Sequence, residues 1–234
     1  VIHATAESEK GNIENISQYC RLLSDWHPKV HVIGNGVDTR SIEVKTSWRR
    51  SHRLLFLSRV HPKKGVDLLL RAFSELQASN GPLRGYVLQI AGEGDAAYLS
   101  SLRVLAEKLG VGEQVRWLGG VYGDRKWELL READLLVLPT HSENFGIVVA
   151  ESLASGTPVL TTKGTPWSAL NTEHCGWCVD VNADAIKSAL RSFAASSEDE
   201  LQQMGLRGRR LVEENYDTRS IAREYVKMYE SLCK

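Results

Sequence analysis

The sequence predicts an α/β fold in which helices flank a parallel sheet on both faces. Three observations lead there. Short apolar runs alternate with stretches whose apolar residues recur every three or four positions, turn residues separate the two, and the alternation runs from about residue 53 onward. The strands are expected at Leu54 to Ser58, Tyr86 to Ala91, Gln114 to Leu118, Asp134 to Leu138, Pro158 to Thr162 and Gly176 to Val179. Helices are expected at Gly65 to Gln77, Ala96 to Leu109, Lys126 to Glu132, Phe145 to Ser155 and Ala183 to Ala195, each with one apolar face. Glu198 to Leu232 reads as nearly continuous helix, broken near Asn215-Tyr-Asp217. Its Arg207, Arg209 and Arg210 alternate with Glu213 and Glu214 and read as a solvated face. Upstream, a helix around Ile13 to Leu23 precedes a strand at Val30-His-Val-Ile33, which ends at the Gly34-Asn-Gly36 turn. Residues 39–52 read as a polar, solvated connection with one packed indole, Trp48. Ligands of such sheets lie beyond the carboxyl ends of the strands. Arg59, Gly92 to Gly94, Gly119 to Val121 and Ser142 to Gly146 all follow strands, so they gather at one edge.

Composition narrows the function. At 234 residues, 42% hydrophobic and 25% charged, the chain is long enough for a real core. Lys plus Arg equals Asp plus Glu at 29 each, so no global basic field argues for nucleic acid. No apolar run approaches the ~18 residues of a membrane span, and no leader pattern opens the chain. Four cysteines are too few for a disulfide scaffold of this size and suit a reducing cytosol. Cys175-Gly-Trp-Cys178 has redox-pair spacing, but Gly-Trp-Cys-Val reads as a strand, whereas a redox pair should open a helix that lowers the first thiol's pKa. A zinc site using His174 and this pair lacks a second cysteine pair.

The chemistry concentrates at residues 141–159. The apolar run Asp134 to Leu138 leads through Pro139 and a tight turn into the helix that ends at Gly156. The first N–H groups of such a helix are unpaired and carry the positive end of its dipole, so they suit an anion; Ser142 or Asn144 as a simple cap is the other reading. Two carboxylates, Glu143 and Glu151, flank this start. Beside a phosphate they make sense when each accepts from sugar or ribose hydroxyls. Glu151 sits in a helix packed on a sheet, where an unpaired buried carboxylate costs several kcal/mol, so a partner should hydrogen-bond it. Arg59 ends a strand and Lys64 follows across His61-Pro62, so a turn can aim both heads at one anion. No Asp-x-Asp tripeptide occurs to hold a divalent ion.

Glu143-Asn-Phe-Gly…Glu151, followed by Gly156-Thr-Pro-Val, resembles the E-x7-E signature of the group 1 retaining glycosyltransferases. Asn35-Gly-Val-Asp38, Arg59-Val-His-Pro-Lys-Lys-Gly-Val-Asp67 and Ile90-Ala-Gly-Glu-Gly94 agree with that family in order and spacing. The resemblance covers nearly the whole chain. It implies a Rossmann-like parallel sheet flanked by helices, one half of a GT-B architecture built from two such domains. It also implies roles: Arg59 and Lys64 on the donor diphosphate, Glu143 on the donor sugar, and the backbone of Asn144, Phe145 and Gly146 on phosphate. Glu151 would hold the ribose, with the base along Gly120 and Val121 and Tyr122 a stacking neighbour.

By the same resemblance residues 1–234 form the nucleotide-sugar binding domain, with 199–234 a helical extension and the N-terminal acceptor domain outside this chain. The implied reaction moves a sugar from a nucleoside-diphosphate sugar to a hydroxyl acceptor with retention, without a cofactor or metal. The Gly164-Thr-Pro-Trp-Ser-Ala-Leu170 stretch, where many relatives carry a glycine-rich turn, is similar to enzymes of bacterial lipopolysaccharide and capsule assembly. A lipid-linked or saccharide acceptor and a cytoplasmic or membrane-peripheral location follow as expectations. A glycogen- or sucrose-synthase-like enzyme and a non-catalytic nucleotide-binding module are the competing readings.

Overall fold

A computed structural model describes residues 2–7, 9–11, 13–14, 30–77 and 80–232. Two short strands open it, β1 (Ile2–Ala4) and β2 (Val30–Val32), paired in parallel as a separate sheet. The main sheet follows: β3 (Arg53–Leu57), α1 (Val66–Leu76), β4 (Val87–Ala91), α2 (Ala96–Lys108), β5 (Val115–Gly119), α3 (Asp124–Glu132), β6 (Leu135–Leu138), α4 (Ile147–Ala154), β7 (Val159–Thr162), α5 (Ala169–Thr172), β8 (Gly176–Val179) and α6 (Ala183–Ala195). Two long helices close the chain, α7 (Glu198–Asn215) and α8 (Thr218–Leu232).

All six main strands are parallel, in the order β5-β4-β3-β6-β7-β8. The chain winds outward from β3 to β5, then crosses back over β3 to build the other half. The order reverses between β3 and β6, where Leu54 pairs with Leu135 and Leu55 with Leu136. Loops leaving these two strands diverge to opposite halves, and the crevice between them is the natural ligand site of such a sheet. The central strands are buried because helices cover both faces: Leu54 to Leu57, Leu135 to Leu138 and Val159 to Thr162 all lie in the interior, whereas the edge strand β5 is largely exposed. The hydroxyl of Thr161 offsets its burial by donating to the Leu138 carbonyl at 2.8 Å, and Thr162 donates likewise to Thr140.

The expected parallel α/β sheet is present, with strand and helix ends displaced by one or two residues. Three differences have physical causes. The helix expected from Phe145 starts at Ile147, because Gly146 takes φ 77° and breaks the helical path. The strand Ile2–Ala4 is too short for a period to be read from sequence. The helix expected at Ile13 to Leu23 lies outside the described residues beyond position 14.

Residues 39–52 keep many exposed side chains and the expected packed indole, but the segment is also fastened to the body by its cations. Trp48 Nε1 donates to the Gly156 carbonyl at 2.8 Å, and Lys45 Nζ to the Ala133 carbonyl at 2.7 Å. Arg50 reaches the carbonyls of Phe193 (3.0 Å) and Ser196 (2.5 Å), closing the C-terminal end of α6, where unpaired carbonyls and the negative dipole end favour a cation. Arg209 likewise leaves the expected solvated face. It donates to Ala154 O at the end of α4 (2.7 Å) and to Ile42 O (3.0 Å) and Thr39 O (2.6 Å) in the connection. Arg207 donates to His174 O at 2.9 and 2.7 Å. The closing helices are therefore integral: α7 buries Leu201 and Val212 in the main core, while α8 buries Ile221 and Met228 against Ile33 beside the small sheet.

Lys45 is 8% exposed, and burial lowers its pKa from 10.5 to about 8. The unfolded chain therefore holds a proton there that the folded chain releases first, so stability rises with pH across that interval. Wild type should gain about 2–3 kcal/mol relative to Lys45→Met as pH rises from about 8 to 10.5 in denaturant titrations; a constant gap would contradict this.

Candidate functional site

The loop leaving β3 passes Ser58 and Arg59 into a single turn at Pro62–Lys64, capped by His61, whose Nδ1 accepts the Lys63 N–H at 3.1 Å. Gly65 then turns the chain into α1 at φ 64°. A Cβ on Gly65 would lie 2.1 Å from the Pro139 carbonyl oxygen, so only glycine lets this loop rest on the end of β6. Contact at that point brings the Lys63 carbonyl within reach of two donors from the β6 loop, His141 N–H at 2.7 Å and Thr140 Oγ1 at 2.9 Å. The loop after β7 joins through Glu143 N–H, which donates to Gly164 O at 2.8 Å. Lys64 is thereby aimed at Glu143, and its Nζ forms an ion pair with Glu143 Oε2; both side chains are largely shielded from solvent.

Phe145 is a buried anchor. Its ring lies 5.3 Å from Trp167 and 5.6 Å from Tyr216 between centroids, and Trp167 Nε1 donates to its carbonyl. Its ring thus belongs to the core and its carbonyl to Trp167, leaving its backbone N–H for any ligand. The backbone N–H groups of Asn144, Phe145 and Gly146 donate to no described group, and they lie just ahead of the positive end of α4. No side chain caps α4, so Ser142 and Asn144 are not caps. Glu143 stands four residues before the helix rather than in its first turn.

Glu151 has the partner its position demands. Lys126 of α3 donates to Glu151 Oε1 at 2.8 Å, and its ammonium lies 4.1 Å from the centre of the Trp127 ring. The Glu151 side chain is 14% exposed. It is neither the solvent-facing residue of an outer helix face nor a wall of either cleft described below. Sequence reasoning signalled that a partner must exist but did not find Lys126.

Two clefts flank the β3–β6 seam. The first, of 670 Å³, is lined by His141 to Phe145 and Lys163 to Pro166, with Thr5 to Glu7 and Glu9 opposite. The second, of 540 Å³, is lined by Arg59, Ala91 to Gly94, Gly120, Val121 and the exposed Tyr122. Arg59 and Lys64 share no partner in the structure. Lys64 is taken by Glu143, whereas Arg59 is exposed in the second cleft and makes no hydrogen bond or ion pair with a described residue. Among the sequence-predicted residues, Glu143, Asn144 and Phe145 line the first cleft and Arg59, Gly120 and Val121 the second. Lys64, Gly146 and Glu151 lie behind them. Sequence reasoning gave no role to Lys126, Lys163 or the wall of Thr5 to Glu7 and Glu9, and marked His141 only as the start of the 141–159 stretch.

The decoy cysteines are settled by burial. Cys175 and Cys178 are free thiols at and in β8, and desolvation pushes Cys175 up to about 12 and Cys178 upward too, the reverse of an activated thiol. No three His, Cys, Asp or Glu side chains gather for a metal among the described residues, and no described helix is long and apolar enough to cross a membrane.

A model of the family described as glycosyl transferases group 1 matches residues 12–211. The chain belongs to that family. It is 32% identical over 234 residues to an uncharacterized glycosyltransferase of Methanocaldococcus jannaschii, covering 91% of this chain and 56% of that protein. This chain therefore spans just over half the length of that relative. The fold matches two solved structures of the GT-B architecture. Sucrose-phosphate synthase from Thermosynechococcus elongatus superposes with TM-score 0.79 at 21% identity, over 98% of this chain and 57% of that one. Anabaena HepE, solved in complex with UDP-glucose, gives TM-score 0.80 at 17% identity over 99% and 64%. This group 1 member thus combines the family's Rossmann-like sheet with the two clefts above.

The Lys126–Glu151 pair yields a direct test. A double-mutant cycle of Lys126→Met and Glu151→Gln, read by denaturant unfolding, should give a coupling energy of about 1–2 kcal/mol. Additive effects would place the pair in solvent.

Proposed function

We propose that this chain is the donor-binding half of a glycosyltransferase that moves a sugar from a nucleoside-diphosphate sugar to a hydroxyl acceptor with retention. The observation that carries this reading is the trio of unpaired N–H groups at Asn144, Phe145 and Gly146. They lie beside the Lys64–Glu143 pair, at the point where the strand order reverses.

The diphosphate would lie across the seam, accepting from those N–H groups and from Arg59. Lys64 would exchange a carboxylate for a phosphate partner, which leaves Glu143 able to accept from the hydroxyls of the donor sugar in the first cleft. The base would lie over Gly120 and Val121 in the second cleft beside Tyr122. For Glu151 to hold the ribose, its second oxygen, the first being taken by Lys126, would have to reach past the cleft walls it stands behind. As the bond from anomeric carbon to phosphate oxygen breaks, negative charge builds on the leaving diphosphate, where these donors already point. The acceptor hydroxyl would attack from the same face and pass its proton to the departing phosphate, which gives retention.

Nothing in this scheme requires a metal, since the N–H groups, Arg59 and Lys64 supply the positive charge. The acceptor would be presented by a second domain, as a lipid-linked or saccharide intermediate of bacterial surface-polysaccharide assembly at the cytoplasmic side. The sequence of the Gly164 to Leu170 loop, which borders the first cleft, supports that acceptor class. A donor panel tests it against a sucrose- or glycogen-synthase-like specificity.

Calorimetric titration with uridine, guanosine and adenosine diphosphates should reveal one that binds equally well in a chelator, and strict dependence on a divalent ion would sink the metal-free scheme. With that nucleotide, Arg59→Ala and Lys64→Ala should each lose about 1.5–3 kcal/mol of binding free energy. Wild-type affinity in both variants would remove the diphosphate from this seam.

A further inference from the structure

The break between α7 and α8 sets an aromatic residue against the first cleft. α7 ends at Asn215 and α8 begins at Thr218, and between them buried Asp217 accepts from Thr39 Oγ1 at 2.6 Å. Tyr216 stands in that break with both backbone groups held. Its N–H donates to Val212 O at 2.8 Å, and its carbonyl accepts from Val37 N–H at 2.9 Å. The ring is held as firmly: Trp167 lies 4.9 Å and Phe145 5.6 Å away between centroids, and a Cβ on Gly34 would come within 3.4 Å of it.

The hydroxyl is different. It makes no hydrogen bond with a described residue, and it is not one of the buried side-chain atoms that lack a partner, so it opens to solvent. The cleft that Tyr216 lines is the first one, beside Glu143 and Asn144. Burial raises the phenol's pKa, with the Glu224 charge adding to it, so the group stays protonated and can donate as well as accept. Packing against Phe145 and Trp167 needs only the ring, and a phenylalanine would supply it. The oxygen has no use within the described structure.

We propose that Tyr216 is a sugar-binding residue, its hydroxyl hydrogen-bonding a hydroxyl of the donor sugar in the first cleft. This rests on the placement of the phosphate at Asn144 to Gly146 given above. Phe145 joins the two points: its N–H belongs to that phosphate site and its ring packs against Tyr216, so a sugar carried on the phosphate enters the cleft beside the phenol. A ring already fixed loses little further freedom when the ligand arrives.

The test uses sugar 1-phosphates, which carry a sugar and its phosphate without a base. The full chain is titrated, followed by NMR, with the α-1-phosphates of glucose, galactose, mannose and N-acetylglucosamine, and with inorganic phosphate and diphosphate. At least one sugar phosphate should bind more tightly than inorganic phosphate. Tyr216→Phe should weaken that sugar phosphate by about three- to ten-fold, while leaving phosphate, diphosphate and the unfolding midpoint unchanged. Equal affinity of the sugar phosphate in both proteins overturns the proposal, as do sugar phosphates that bind no better than inorganic phosphate. A loss shared by every ligand together with a lower midpoint also overturns it, because Tyr216 would then act through the fold. Diphosphate binding that Arg59→Ala weakens keeps the phosphate site even where the sugar contact fails; absence of diphosphate binding removes both.

Discussion

The space above the seam between β3 and β6 can hold the two departing loops only where one of them lacks a side chain. Gly65 meets that condition, with the Pro139 carbonyl 2.1 Å from where a Cβ would stand. Everything chemical at this edge depends on the approach. It sets the Lys63 carbonyl under two donors from the β6 loop and turns Lys64 toward Glu143. Glu143 in turn ties the β7 loop through Gly164. Backbone contact comes first, and the charges follow from it.

Each acid near the start of α4 has its own lysine: Glu143 has Lys64, and Glu151 has Lys126. Neither carboxylate is left to repel an incoming phosphate, and neither lysine pays the desolvation of an unpaired buried charge. Arg59 is different. It has no described partner and stands in the neighbouring cleft, so a ligand can pair with it without first displacing a protein group. The phenyl ring of Phe145 contributes from behind, packed between Trp167 and Tyr216 so that the unpaired N–H groups around it sit on a rigid base.

The sheet and most helices were legible because buried parallel strands such as Leu135 to Leu138 are uninterrupted apolar runs, and α1 shows its Val66, Leu69, Leu70 and Phe73 face at helical spacing. Charged residues that act through geometry were not. Arg50 and Arg209 look like surface charges in sequence, yet both close helix ends through carbonyls far along the chain. A carbonyl acceptor carries no side-chain signature, so such contacts leave no pattern to read. Lys126 and Glu151 lie 25 positions apart on different helices, and only the packing of those helices brings them together.

The small sheet joins the large one by two crossings that run side by side. Val37 N–H donates to Tyr216 O at 2.9 Å and Thr218 N–H to Val37 O at 3.0 Å, while Thr39 Oγ1 donates to Asp217 at 2.6 Å. Beyond this double strap, Lys45, Trp48 and Arg50 fasten the incoming strand to the main body, and Arg209 fastens the outgoing helix. A single linker would leave both torsion and bending free. Two linkers bonded side by side resist twisting, because turning the β1–β2 unit against the main sheet would break the Val37–Tyr216, Val37–Thr218 and Thr39–Asp217 bonds together.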